Sequence, residues 1–211
     1  GAESAIGAKS TPLGYNRAYV RAGRDPTLPA FLQAWREGRN FVTNGPMVFL
    51  STESGRQPGD TIDLPPSGGK VVFRVRAVSD QPLRSVELVA NGLVRARADL
   101  STSQREAELA FSIDVKEGTW VAARCTAEDR LLSDQELGMY SEQGGLPASP
   151  TRLRFAHTSP IYITVGTKKP RVAASVDEAE KMLEAFKRFA QKRADGQYLA
   201  EILDVLPEHI P

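Results

Sequence analysis

Residues 84–98 read RSVELVANGLVRARA. Val86, Leu88 and Ala90 alternate with Glu87 and Val89. Successive side chains of a strand point to opposite sides, so this alternation describes a strand with one buried face and one wet face. Asn91-Gly92 then separates it from a second such run. Both central residues of a type I′ turn need positive φ, which Asn-Gly tolerates best, so the stretch predicts a β-hairpin. The fold class is set here: antiparallel β.

The same pattern continues on either side. Phe73, Val75 and Ala77 alternate with Arg74 and Arg76; Leu109, Phe111, Ile113 and Val115 alternate with Ala110, Ser112 and Asp114. Glu117-Gly118 divides that run from one opening at Trp120, and Ser159 to Val165 reads as a last strand with Ile161, Ile163 and Val165 on one face. Asn40 to Thr43 reads as a strand, Asn44-Gly45-Pro46 as a tight turn, and Met47 as the start of another strand. Turn signals at roughly ten-residue intervals point to a sandwich or barrel. The expected architecture is mainly β: an immunoglobulin-like β-sandwich over residues 38–170. A lead-in over 1–37 carries a short N-terminal helix, and an extension over 171–211 carries one or two helices.

The first helix is marked by Thr27 as N-cap, Pro29 in its first turn and Gly38 just past its end. At about two turns it needs a docking partner to persist. Ser175-Val176-Asp177-Glu178 reads as a capping box opening an amphipathic helix to about Ala194, with Ala179, Met182, Leu183, Phe186 and Phe189 at helical spacing. Tyr198 to Val205 reads as a shorter second helix. Residues 137–151, containing Gly144-Gly145, read as a long loop, a length that is uncommon unless functional or mobile.

Bulk properties exclude several classes. The 211 residues carry 27 Lys plus Arg against 26 Asp plus Glu, so the basic excess of a nucleic-acid binder is missing. No run approaches the length of a membrane span, and none reads as a signal peptide. The one cysteine, Cys125, lies in an alternating run and reads as a small core residue rather than a reactive thiol.

Chemistry-bearing motifs are sparse. His157, placed in a loop before the last strand, and His209 have no second ligand at metal spacing. Neither a nucleophile elbow nor a phosphate-binding glycine loop is present. Asp114, Glu128, Asp129 and Asp134 read as turn or wet-face carboxylates. Trp35 and Trp120 could stack a sugar, although Trp120 reads better as a core anchor. Arg74, Arg76, Arg95 and Arg97 fall on neighbouring strands at alternate positions; they could make an anionic-ligand patch, but read better as a solvated face crossed by Glu87 and Asp99. No catalytic residue, metal ligand or cofactor site is expected in this chain.

A resemblance adds to this. Leu13-Gly14-Tyr15-Asn16-Arg17-Ala18-Tyr19-Val20, the short helix with Trp35, Gly38-Arg39-Asn40-Phe41-Val42-Thr43-Asn44-Gly45-Pro46 and Ser159-Pro160-Ile161-Tyr162 resemble the later part of CehA/McbA-type metallohydrolases of the PHP-like superfamily. In that family such a segment follows the metal-binding catalytic barrel and leads into a β-sandwich. The likeness is sharpest at Gly38 to Pro46, and the family's His-rich ligand motifs have no counterpart here. It implies a non-catalytic accessory domain of a larger metal-dependent hydrolase, its partner the upstream catalytic domain of the same polypeptide. The implied interface residues are Tyr15, Asn16, Arg17, Tyr19, Trp35, Arg39 and Asn44, with residues 137–151 as a wall of the active-site entrance. A secreted or periplasmic setting is favoured over a cytoplasmic one. The other reading is an independent ligand- or glycan-binding sandwich.

Overall fold

The computed structural model describes residues 16–128 and 154–193. The chain divides between Pro170 and Arg171. Among the described residues the first unit holds eleven strands and one helix: β1 (Arg17–Val20), α1 (Leu28–Arg36), β2 (Asn40–Thr43), β3 (Met47–Thr52), β4 (Thr61–Leu64), β5 (Gly69–Val78), β6 (Leu83–Ala90), β7 (Leu93–Asp99), β8 (Glu106–Val115), β9 (Thr119–Ala127), β10 (Arg154–Thr158) and β11 (Ile161–Val165). They form a mainly-β sandwich of an eight-stranded and a three-stranded sheet.

The small sheet runs β3-β5-β8, antiparallel throughout. The large sheet centres on β9, which pairs with β6 along one side and with β10 and β11 along the other. From β10 the sheet continues to β2 and then β1; from β6 it ends at β7. β11 ends the remaining branch by pairing with β4, the one parallel pair among the described strands.

Alternation decides what meets between the sheets. Val71, Phe73, Val75 and Ala77 of β5 are buried, as are Val86 and Leu88 of β6 and Val121, Ala123 and Cys125 of β9. One inward row crosses the large sheet as Val86, Cys125, Ala156 and Thr43. The outward row beside it reads Arg97, Glu87, Arg124 and His157. Glu87 is 4% exposed although it lies on this outer face. Arg97 bonds one of its oxygens at 2.8 Å and Arg124 the other at 2.6 Å. The two guanidiniums cover the carboxylate and neutralise it, which makes its burial tolerable.

Several expectations need correction. His157 lies inside β10, because Ser159-Pro160 splits one long extended run into two strands. Trp120 is half-buried on the outer face opposite Tyr162, since Val121, Ala123 and Cys125 take the inward positions of β9. The four arginines form no single face: Arg74 and Arg76 belong to the small sheet, Arg95 and Arg97 to the large one. The short strand that Arg17 to Ala22 suggests in the lead-in is, by contrast, present as β1, which pairs with β2 over its whole length.

The hairpin turn has Asn91 at φ 50° and Gly92 at φ 84°, as type I′ requires. Gly68 is a sterner case. Its φ is +76°, and an added Cβ would lie 2.1 Å from the Val115 carbonyl oxygen, whereas at Gly92 it would meet open space. Gly68→Ala is expected to lose about 1–3 kcal/mol by forcing the β4–β5 loop off the end of β8. Gly92→Ala should lose only about 1 kcal/mol, from the left-handed backbone. Urea midpoints of the two variants check the difference.

In the second unit, α2 (Ala173–Arg193) begins two residues before Ser175. The Val172 carbonyl accepts from Ser175 N at 2.9 Å and Val176 N at 3.1 Å, so Ser175 sits inside the first turn and is not the cap. Residues 137–151, the second C-terminal helix, His209 and Tyr15 lie outside the described residues.

Candidate functional site

Thr43 ends a strand of the large sheet and Met47 begins one of the small sheet. Asn44-Gly45-Pro46 carries the chain across, and its side chains are used to hold that crossing. The Thr43 hydroxyl accepts from Gly45 N at 2.8 Å and donates to the Pro46 carbonyl. Asn44 Oδ1 accepts from Phe155 N at 2.8 Å, and Asn44 N donates to Phe155 O at 3.2 Å. The expected interface residue Asn44 is therefore buried against β10, and the turn is tied down from within.

From this joint the two sheets diverge, and a cleft of about 570 Å³ opens between β1–β2 and β3. Its volume lies within the usual range of ligand sites, roughly 300–1,000 Å³. The floor is aromatic. Tyr19 stacks on Phe41 with centroids 5.0 Å apart, and Phe49 meets Phe41 edge-on at 5.4 Å. Phe41 belongs to one sheet and Phe49 to the other, so the trio bridges the sandwich along its open side. Five successive residues of β3, Met47 to Ser51, line the cleft. Consecutive strand residues point to opposite faces, and only the strand's edge is common to all five. The cleft thus runs along the free edge of β3.

The rim is cationic. Arg21, Arg39, Arg74 and Arg76 line the cleft against a single carboxylate, Glu108. Arg39 is held by Glu37 at 2.6 Å and Arg74 by Glu53 at 3.1 Å. Arg21 donates to the neutral amide oxygen of Gln57. Arg76 stands between Phe49 and Glu108 in the register of the small sheet.

Of the residues expected at an interface, Tyr19 and Arg39 line this cleft. Asn16 and Arg17 are exposed at the start of β1, and Trp35 lies on α1, whose Phe31 meets it edge-to-face at 5.8 Å. Phe41, Phe49 and Arg21 are not singled out as site residues by the sequence, and Arg76 reads there as part of a solvated arginine face. Each is unremarkable in its own strand, and only the crossing of two sheets collects them. A readable signal was present in β3, whose six residues MVFLST carry no charge.

Among the described residues no three His, Cys, Asp or Glu side chains gather in metal-binding geometry. The described side chains do not fit the catalytic ions that the CehA/McbA resemblance implies for its barrel. No described helix is long and apolar enough to cross a membrane. Compared with known protein families, with curated proteins and with solved structures, the chain matches none.

Proposed function

We propose that this chain is a non-catalytic accessory domain of a larger PHP-like metal-dependent hydrolase, an immunoglobulin-like sandwich that packs on the catalytic barrel through β1 and α1. The observation that carries this reading is the outer side of α1. Ala34 is the helix's one buried residue, while Leu28, Leu32 and Trp35 are 69%, 44% and 48% exposed. They recur at i, i+4 and i+7, so they form one apolar stripe. A stripe of this kind on a nine-residue helix marks an interaction surface more than a solvent face. The sequence likeness at Gly38 to Pro46 and Ser159 to Tyr162 supplies the identity of the barrel, and the hydrolase's ions would be held there.

The test uses the parent polypeptide with Trp120 and every tryptophan outside these 211 residues replaced by phenylalanine, which leaves Trp35 as the sole reporter. Attachment of the barrel should shift Trp35 emission to the blue, and Leu32→Glu should abolish that shift. In the isolated sandwich Leu32→Glu should change stability by no more than about 0.5 kcal/mol, as for an exposed site. Unchanged Trp35 emission, or a reading frame with no upstream His- and Asp-rich domain, would overturn the proposal.

The aromatic cleft favours a second reading, an independent ligand- or glycan-binding module. Tyr19 and Phe49, 39% and 41% exposed, would supply its solvent-facing rings.

A further inference from the structure

The two sheets differ in width. Six strands of the large sheet lie abreast, β7-β6-β9-β10-β2-β1, against three in the small one. β5 packs across β6, and β3 packs across β9 and β10. Among the described residues, the strand position beside β3 in the small sheet is therefore vacant. It lies over the inner faces of β2 and β1, where Phe41 and Tyr19 stand. This vacancy is the cleft. The ring of Phe49, an outward residue of β3 by alternation with buried Val48 and Leu50, reaches round the edge to Phe41 and partly fills it.

Edge strands are normally guarded by charges, proline or shortness, because their unpaired N–H and C=O groups template further pairing. The other described edges follow that rule. β8 carries Glu106, Glu108 and Asp114, β7 carries Arg95, Arg97 and Asp99, and β1 and β4 are four residues long. β3 has none of these along Met47–Thr52.

We propose that the free edge of β3 is a strand-acceptor site, which takes an extended acidic peptide segment of a partner protein as the fourth strand of the small sheet. Main-chain hydrogen bonds along the β3 edge would hold it, as in other strand-addition complexes. Its alternate residues would face two different surfaces. Inward residues meet Tyr19 and Phe41, so they are apolar. Outward residues share the face that carries Arg76, with Arg21 at the mouth, while Arg39 and Arg74 are already held by Glu37 and Glu53, so the outward residues are acidic. The same charges disfavour a second copy of this chain pairing edge to edge, which would bring two arginine-lined rims together. The proposal rests on the cleft, which shares β1 with the proposed barrel contact but takes nothing from α1.

The experiment titrates the full chain with a short blocked peptide alternating valine with aspartate, read by fluorescence anisotropy. Two controls accompany it: a version with lysine for aspartate, and one with a central proline. The expected result is saturable binding, at least about tenfold tighter than either control, with amide protection gained in β3. Arg76→Glu and Arg21→Glu, both at exposed or rim positions, should each weaken it by about tenfold while the melting temperature holds. Equal binding of the lysine peptide would overturn the charge assignment, and equal binding of the proline peptide would overturn strand addition. A dimer that the probe fails to dissociate would assign the edge to a second copy instead. Failure to bind at millimolar probe, or displacement of the probe by an aryl sulfonate dye that binds equally well to Arg21→Glu, would also sink the proposal.

Discussion

Phe73→Ala is expected to cost about 3–5 kcal/mol of stability, the range for deleting a fully buried aromatic ring. The reason lies in where alternation places the residue. β5 is the central strand of the narrow sheet, and Phe73 faces inward between Thr52 of β3 and Phe111 of β8. It has no exposed surface and is the largest side chain so buried among the described residues. Its neighbours cannot collapse into the space, because strands on both sides hold β5 in register. Phe49→Ala is the internal comparison: the same residue type in the same sheet, but at the free edge and substantially exposed. It should cost only about 1 kcal/mol, mostly from the edge-on contact with Phe41. For a sandwich of this size the first loss corresponds to a fall in melting temperature of roughly 6–20 °C. Thermal melts of the two variants side by side decide it, and equal losses would refute the placement of β5 at the centre of the core.

What the sequence reveals and what it conceals divide along the range of the interactions. Alternation and Asn91-Gly92 are local, so strands β5 to β9 and the I′ turn are legible without a structure. So is α1: Thr27 caps it through Ala30 N at 3.4 Å, and Gly38 leaves it at φ +73°. Cys125 is a buried core residue for the same reason, an inward position in β9. Which strands pair is not local. The parallel partnership of β11 with β4 joins short segments about a hundred residues apart, and nothing in TIDL announces it. Glu87 shows the limit most plainly. Alternation assigns it to the wet face, and so it sits, yet two arginines from flanking strands bury it there. The cleft is hidden likewise, since its floor needs Tyr19, Phe41 and Phe49 from three strands in two sheets. Tyr19 and Arg39 follow from the resemblance and Arg76 from strand alternation, whereas placing Arg76 beside Arg21 on one cleft needs the fold.

Stability should fall steeply in alkali, and Cys125→Ala should remove much of that fall. Burial pushes the Cys125 thiol up to about 12, a rise that the backbone contact with Ala156 offsets only in part. In the unfolded chain the thiol titrates near its ordinary value, about 8.5. Below that pH both states hold the proton and the group contributes no pH dependence. Above it the unfolded chain loses the proton first, so it binds fewer protons than the native state and stability declines as pH rises. The decline runs at about 1.4 kcal/mol per pH unit and ends near the folded value, for a total on the order of 5 kcal/mol. Lysines and tyrosines also titrate in this window, but they are common to both proteins, so the difference between the two curves isolates the thiol. Urea midpoints at pH 7, 9 and 10.5 should converge for wild type and Cys125→Ala as pH rises, after an initial deficit from the lost sulfur. The same burial predicts that an aromatic disulfide reagent reacts with Cys125 only as fast as the sandwich opens, because the thiolate is the reactive form and the folded protein withholds it. Parallel stability curves, or rapid modification of the native protein at pH 8, would mean that β9 does not hold this side chain in the core.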